Sequence, residues 1–265
     1  MITLTDGTAT LELDPEAGGR VAQLVVDGLE VLAHTGAKAT RWGSFVMAPW
    51  AGRVRRGQFV FDGKSYQLPT ERNPPHAIHG TVLDRPWAIL DSSQSFALLE
   101  STLGDQWPWP GRARHRISLN DGGVAFELEI RSDSAAPFPA SAGSHPWFRR
   151  RLSRGAELEL DFTTSAMLER DTEGIVTGTR VPVPPGPWDD CFDGVQWPVS
   201  AQWPGALRMD IGSDTRYVVV FDQLAEAVCV EPQTGPPDAL TLEPFVVTPD
   251  HPLRVTMTWT RHPAG

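Results

Sequence analysis

Residues 58–68 read Gln-Phe-Val-Phe-Asp-Gly-Lys-Ser-Tyr-Gln-Leu, which is two short strand-like runs on either side of an Asp-Gly pair. Aromatic and β-branched residues favour extended backbone, and Asp-Gly is among the strongest short signals for a two-residue hairpin turn. We therefore expect two adjacent antiparallel strands here, joined at Asp62 and Gly63.

The same pattern of short strands and turns recurs along the chain. Alternation with a period of two marks Ala9–Leu13 and Arg254–Trp259, and turn residues separate strand-like runs at Asp27-Gly28 and at residues 120–123, Asn-Asp-Gly-Gly. No window sustains the apolar stripe of a long amphipathic helix, and the 24 glycines and 24 prolines are spread throughout. The sequence predicts an all-β fold, a sandwich or barrel of antiparallel strands.

The length and linker pattern favour one domain. One large all-β domain or two small ones can account for 265 residues. The main proline-rich stretch, Val181 to Trp188 (VPVPPGPW), has strand-like sequence on both sides and no polar low-complexity composition. We interpret it as an ordered loop inside a single domain that covers residues 1–265.

The composition indicates a globular protein with a small neutral partner. Hydrophobic residues make up 40% and charged residues 21% of the chain, and its net charge of −10 opposes general attraction to nucleic acid or anionic membranes. The chain starts MITLTDGTATLELD, without a basic segment followed by an apolar run, and nowhere shows about 18 consecutive apolar residues. We expect a cytoplasmic monomer or homodimer with no nucleic-acid or membrane partner.

Tryptophan and cysteine usage adds two expectations. Ten tryptophans against two tyrosines is an unusual balance. Core packing is the simpler explanation, and a sugar site, where an indole face packs on a pyranose, is the alternative. The two cysteines, Cys191 and Cys229, lack C-x-x-C spacing, which predicts buried reduced thiols.

Residues 73–80, Asn-Pro-Pro-His-Ala-Ile-His-Gly, place His76 and His79 three positions apart in an irregular stretch. A metal site is one interpretation. The sequence offers no H-E-x-x-H motif, cysteine cluster or nearby carboxylate at ligand spacing, so we expect no metal. A histidine bonded to backbone within its loop is the other interpretation, and it stays open for His76.

Two further segments place an ionisable side chain beside proline. In residues 144–148, Ser-His-Pro-Trp-Phe, apolar neighbours could tune His145 for proton transfer near neutral pH. Residues 227–237, AVCVEPQTGPP, end an apolar strand in Glu231 before a proline-rich loop. A glutamate at such a position is more often paired or solvated than catalytic, so a role as base requires a partner and a pocket nearby.

Taken in order, five segments resemble the aldose 1-epimerase family, also called galactose mutarotase-like proteins. The first is similar to the family segment P-W-x-N-R-I-x-x-G-x-F. The five extend over most of the chain, and at the family's order and approximate spacing they form a specific signal. They are PWAGRVRRGQF (49–59), HAIHG (76–80), HPWF (145–148), WDDCF (188–192) and EPQT (231–234).

This resemblance implies a large antiparallel β-sandwich with an open sugar cleft, a small aldose as partner, no metal and no organic cofactor. By the family pattern Glu231 is the general base for the anomeric hydroxyl, His145 the general acid for the ring oxygen, and His79 a hydrogen-bonding group near that oxygen. Glu231 should be ionised, which requires a neighbouring arginine or hydroxyl donor to hold its pKa down. The residues implied to contact the sugar are Arg53, Asp189 (with Asp190 as the alternative), His76 and Trp147.

Two residues depart from the family pattern. Gly52 stands where asparagine often precedes the arginine, which leaves Arg53 open to a role in a solvated basic turn with Arg55 and Arg56. Trp147 replaces the commoner tyrosine or phenylalanine and keeps an aromatic wall.

Three other functions stay open from the sequence. An epimerase of phosphorylated hexoses needs a cationic phosphate pocket, for which Arg53, Arg55 and Arg56 supply cations. A non-catalytic sugar-binding domain could use amides and hydroxyls in place of ionisable groups. A metal-dependent cupin-like enzyme would also be all-β with scattered histidines.

Overall fold

The computed structural model describes residues 1–7, 9–120 and 123–262, and its regular structure is almost entirely extended. Helical structure within these residues is confined to α1 (Ala239–Leu242) and a 3₁₀ turn at Arg55–Gly57. The strands in chain order are β1 (Ile2–Asp6), β2 (Ala9–Asp14), β3 (Arg20–Val26), β4 (Leu29–Glu30), β5 (Ser44–Met47), β6 (Arg53–Val54), β7 (Gln58–Phe61), β8 (Lys64–Gln67), β9 (Ala77–Ile78), β10 (Ala88–Ser92), β11 (Phe96–Thr102), β12 (Gly111–Asn120), β13 (Gly123–Ser132), β14 (Phe138–Ala140), β15 (Gly143–Arg149), β16 (Glu159–Thr163), β17 (Ala166–Arg170), β18 (Val176–Val181), β19 (Asp189–Asp193), β20 (Gln196–Trp203), β21 (Leu207–Ser213), β22 (Tyr217–Phe221), β23 (Ala227–Gln233), β24 (Phe245–Val247) and β25 (Leu253–His262).

Two large sheets dominate the described part of the chain. The larger has eleven strands in the order β1-β2-β3-β5-β15-β23-β22-β19-β17-β18, with β4 added beside β3. The smaller has eight strands in the order β10-β11-β12-β13-β25-β21-β20-β16. Neighbouring strands in both sheets run antiparallel, so the prediction of an all-β antiparallel fold is confirmed.

Both of the predicted Asp-Gly hairpins that fall on described residues are present. Asp27 and Gly28 have φ angles of 50° and 78°, and Asp62 and Gly63 have φ angles of 50° and 71°. Positive φ at both central residues is the requirement of the tight hairpin turn that Asp-Gly favours. At the third site β12 pairs with β13 up to Asn120 opposite Gly123, and residues 121–122 lie outside the described residues.

A hydrophobic core fills the space between the two sheets, because alternate residues of each strand face it. In β25 the buried side chains are those of Leu253, Val255, Met257 and Trp259, and the intervening residues are exposed. The period of two in this segment therefore predicts correctly which face is inside.

The proline-rich stretch and the two cysteines can also be placed in this fold. Residues 182–188, which include most of the proline-rich stretch, connect β18 to β19 within the larger sheet. Cys191 and Cys229 are buried and free of disulfides, as predicted.

Among the residues described, none of the helical segments has the length and apolar character needed to traverse a bilayer.

Candidate active site

The strand β23 lies in the middle of the larger sheet, and all seven of its residues are buried. Val228 and Val230 point into the core between the sheets. The alternate residues therefore point to the opposite face, and Cys229 packs there in a second, smaller apolar cluster. Glu231 and Gln233 share that face and line a cavity.

Strand register brings His145 beside Glu231. On the neighbouring strand β15, Trp147 pairs with Cys229 and Gly143 pairs with Gln233, so His145 falls opposite Glu231. Eighty-six positions of sequence separate the two residues, and only the antiparallel pairing of β15 with β23 unites them.

The two side chains are in direct contact. His145 Nε2 lies 3.1 Å from Glu231 Oε1, and the side chains are only 8% and 4% exposed. On the far side of the carboxyl group, Gln233 Nε2 donates to Glu231 Oε2 at 3.2 Å. The histidine and the amide thus fix the orientation of the carboxyl group at the floor of the cavity.

Burial disfavours the charged form of this glutamate. Desolvation raises the pKa of Glu231 well above its ordinary value and the charge of Asp189 raises it further, while Gln233 and Arg53 oppose the rise. The sequence-based expectation that neighbouring donors hold this pKa down is wrong for the free protein, because desolvation outweighs them.

Burial has the opposite effect on the imidazole. It lowers the pKa of His145 to about 3, and the positive charge of Arg41 contributes in the same direction. Burial thus shifts both pKa values in the direction that favours the uncharged forms, a protonated Glu231 beside a neutral His145.

His79 reaches the same place from a different element. It follows β9, its own N–H donates to the Gly52 carbonyl at 3.0 Å, and its backbone has a φ of 59°. Its ring lies edge-on to the ring of His145 with centroids 5.0 Å apart. Left-handed backbone is uncommon for a residue with a side chain and is found most often where surrounding structure enforces a position.

A network of charges forms one wall. Asp189 lies 3.5 Å from Arg53 and 3.2 Å from Arg170, and Arg170 also contacts Asp190 at 2.9 Å. Asp190 is the more buried of the two aspartates, with 13% of its side chain exposed against 26% for Asp189. Both line the cavity, so the structure keeps both as candidate sugar ligands.

An aromatic side chain, that of Trp147, also lines the cavity. The ring of Trp147 stacks on the ring of His145 with centroids 5.1 Å apart, and its indole N–H donates to the Thr40 carbonyl at 3.1 Å. Trp147 thus supports the imidazole and presents an apolar surface to the cavity.

The cavity enclosed by these groups measures about 190 Å³. Three buried polar atoms of lining residues, His79 Nδ1, His145 Nδ1 and Gln233 Oε1, have no hydrogen-bond partner among the described residues. Unpaired buried polar atoms are rare in folded proteins and are expected where water or a ligand completes a site. The side chains that line the cavity come from Thr40, Arg41, Gly52, Arg53, Arg72, Asn73, Ile78, His79, His145, Trp147, Arg170, Gly174, Val176, Asp189, Asp190, Cys191, Val219, Phe221, Glu231, Gln233 and Pro237.

The structure places His76 elsewhere. This histidine is buried, its Nδ1 accepts a hydrogen bond from the Arg56 backbone N–H at 3.0 Å, and it is not part of the cavity lining. It is therefore the backbone-bonded loop histidine that the sequence left as an alternative, and we do not carry it forward as a sugar ligand.

Sequence reasoning missed several cavity residues. Gln233 had a usable signal, because it lies two positions from Glu231 in a strand and must share its face. Arg41, Arg72 and Arg170 had none, because they enter the site from distant loops and strand ends.

One group of side chains could in principle hold a metal ion. Among the described residues, His145, Cys229 and Glu231 each place a ligand atom within 4.8 Å of the others. Metal binding to cysteine requires the thiolate, and burial raises the pKa of Cys229 well above its ordinary value. The donor set therefore fits a zinc-type ion poorly in this setting.

Solved structures share this architecture. The chain superposes on a galactose mutarotase-like protein from Clostridium acetobutylicum with a TM-score of 0.86 and 16% identity, covering 98% of this chain and 94% of that one. Identity at this level shows a common fold.

Two curated relatives match parts of the chain. An uncharacterized protein of Escherichia coli, YihR, is 28% identical over 112 residues, which is 41% of this chain and 36% of YihR. The galactose mutarotase of Mus musculus is 25% identical over 142 residues, which is 50% of this chain and 40% of that protein. The matched region thus spans less than half the length of either relative.

A family model matches most of the chain. The model named Aldose 1-epimerase matches residues 1–244 and so includes every cavity residue described above. This chain therefore belongs to the aldose 1-epimerase family.

Proposed function

We propose that the protein is an aldose 1-epimerase that interconverts the α and β anomers of a sugar by acid and base catalysis. The observation that carries the proposal is the 3.1 Å contact between His145 Nε2 and Glu231 Oε1 at the floor of a cavity large enough to admit a small ligand. Family membership supports the reaction type.

Opening a hemiacetal ring removes one proton from the anomeric hydroxyl and adds one to the ring oxygen. Ionised Glu231 takes the first proton and protonated His145 supplies the second, so the C1–O5 bond breaks and leaves a free aldehyde. General acid and base catalysis by positioned groups contributes about 10²–10⁴-fold. Rotation about C1–C2 then presents the other face of the aldehyde, and the two residues reverse their roles as the ring closes.

The pair of Glu231 and His145 carries one proton throughout this cycle. Ionised Glu231 with protonated His145 carries one proton, and so does neutral Glu231 with neutral His145 after ring opening. Burial favours the neutral arrangement in the free protein, as the pKa directions of the two groups indicate. Transfer of that one proton across the 3.1 Å contact converts one arrangement into the other.

The remaining cavity groups have supporting roles in the proposal. His79 hydrogen-bonds near the ring oxygen, because its ring stands beside that of His145. Arg53, Asp189 and Asp190 offer charged donors and acceptors to sugar hydroxyls, and Trp147 offers an apolar face to the C–H side of a pyranose. We assign no role in catalysis to a cofactor or metal.

The test is polarimetry of freshly dissolved α-glucose and α-galactose in weakly catalytic buffer. We expect the wild type to accelerate mutarotation of at least one sugar and Glu231→Gln to lose at least about 100-fold of that acceleration. Glu159→Gln is the matched control, because Glu159 is an exposed carboxylate on β16 of the other sheet.

Circular dichroism and thermal melting should show that both variants are folded. A sugar that binds in calorimetry without any change in its mutarotation rate would instead identify a non-catalytic sugar-binding domain. Full retention of activity in Glu231→Gln would remove Glu231 from the mechanism.

A further inference from the structure

The cavity carries more positive than negative charge, although the whole chain has a net charge of −10. Four arginines line it against two aspartates, and burial favours the uncharged form of the cavity's remaining acid, Glu231. The arginines of the lining are Arg41, Arg53, Arg72 and Arg170.

Three of these arginines already have carboxylate partners. Arg53 and Arg170 contact the two cavity aspartates, which lie on β19. Arg72 contacts Asp84 at 2.8 Å and also donates to the carbonyl groups of Ile78 and Gly80. Their charges are therefore balanced within the protein.

Arg41 is different, because its guanidinium group has neither an ion pair nor a hydrogen bond to any of the described residues. It is exposed at the cavity wall, and its central carbon lies 5.6 Å from the centre of the Trp147 ring. An arginine fork is shaped to bind carboxylate or phosphate oxygens in pairs, and this one has its donors free.

The position of the Arg41 segment is well defined. Buried Arg20 donates to the carbonyls of Ala39 at 2.7 Å and Trp42 at 3.1 Å, on either side of Arg41. The Trp147 indole N–H holds the carbonyl of Thr40 from the other side. The free guanidinium therefore projects from an anchored backbone.

The position of Arg41 relative to His145 also indicates which part of a bound sugar it would face. Trp147 links it to His145 by stacking, and the charge of Arg41 contributes to the lowered pKa of that imidazole. In the proposed mechanism His145 donates its proton to the ring oxygen. The exocyclic carbon of an aldopyranose is attached to the ring atom next to that oxygen, so a substituent on it extends from the same side of the sugar.

We propose that the preferred substrates are aldoses with an anionic group on the exocyclic carbon beside the ring oxygen, and that Arg41 binds this group. The inference rests on the proposed 1-epimerase function and narrows its substrate class. A carboxylate and a phosphate ester share the required chemistry, because both present paired anionic oxygens. A neutral hexose leaves the charge of Arg41 without a partner.

The experiment compares four sugars in the same mutarotation assay, each corrected for its own uncatalysed rate. Glucose and galactose are the neutral probes, glucuronate is the carboxylate probe, and glucose 6-phosphate is the phosphate probe. We expect kcat/KM for at least one anionic sugar to exceed that of both neutral sugars by about tenfold. The anionic sugar with the higher kcat/KM shows whether the preferred group is a carboxylate or a phosphate ester.

Arg41→Gln should reduce the preference for the anionic over the neutral sugar by about tenfold, mainly through a higher KM. Arg41→Lys should retain part of the preference, because it keeps the charge and loses the fork. Arg154→Gln is the matched control, since it removes one positive charge from an exposed residue outside the cavity lining and should leave the preference unaltered.

The outcomes separate the two proposals. Acceleration of neutral sugars with no preference for either anionic sugar overturns the inference and leaves the 1-epimerase function intact. A preference that survives Arg41→Gln also overturns it. Absence of acceleration with all four sugars overturns both.

Discussion

Gly52 packs so closely against Pro237 that a β-carbon added to it would lie 2.9 Å from the proline Cβ and 3.0 Å from its Cα. Gly52 also has a φ of 66°. Gly52, one of the two residues that depart from the family pattern, is thus at a position that favours glycine, because a side chain there is both strained and crowded.

The first prediction follows from that contact. Gly52→Ala should lower the free energy of unfolding by about 1 kcal/mol for the left-handed backbone and by a further 1–3 kcal/mol, roughly, for the overlap. Gly63→Ala separates the two effects, because Gly63 has a φ of 71° and nothing within 4 Å of its added β-carbon. Denaturant unfolding measures the free energy of unfolding of both variants. An equal decrease at the two positions would show that the contact with Pro237 relaxes at no cost in stability.

The second prediction concerns Glu231 and the pH dependence of stability. Its pKa is raised above the ordinary 4.5, so the stability it confers is fully present below 4.5 and is lost as pH increases through the folded-state pKa. The melting temperature of the wild type should therefore fall relative to that of Glu231→Gln as pH increases. Parallel melting curves across the pH range would contradict the raised pKa, and Glu159→Gln should show no such divergence.

The third prediction uses His115, which is buried in β12 against the ring of Phe126 and plays no part in the cavity. Burial lowers its pKa from 6.5 to about 4, so the folded state disfavours the charged imidazole. Its contribution to stability is present above pH 6.5 and is lost as pH falls towards 4, a difference that corresponds to about 3 kcal/mol.

Replacement of His115 by leucine should therefore make the protein less sensitive to acid between pH 6.5 and 4. Denaturant unfolding at several pH values measures the effect. His34→Leu is the control, because His34 is exposed and should leave the acid sensitivity unchanged. Equal acid sensitivity of His115→Leu and the wild type would show that charging His115 does not limit stability.

The local part of the fold was predictable because strand faces and tight turns depend on near neighbours in sequence. Asp27-Gly28 and Asp62-Gly63 form the hairpins expected of them, since an Asp-Gly pair adopts the positive φ angles that such turns require. The burial of Val255 and Met257 follows from alternation in the same way.

The assembly of the site depended on information that no local window contains. That His145 lies opposite Glu231 follows from the register of β15 and β23, which is set by packing of the whole sheet. His76 and His79 belong to one short motif, yet only His79 enters the cavity. Resemblance to a family located the pair of catalytic candidates, whereas Arg41 had no signal in either the local sequence or the family motifs.

Because β23 is buried on both faces, its register determines both the stability and the activity of the protein. Valines at 228 and 230 face the core, and Cys229 and Glu231 face the cavity, so a slip of one residue in register would exchange the two sets. Such a slip would bury a carboxyl group in the apolar core and remove it from the histidine in the same step. Molecules in which β23 pairs in the wrong register would be both unstable and inactive. The specific activity of a preparation would therefore be proportional to the fraction of chains in which β23 has the correct register.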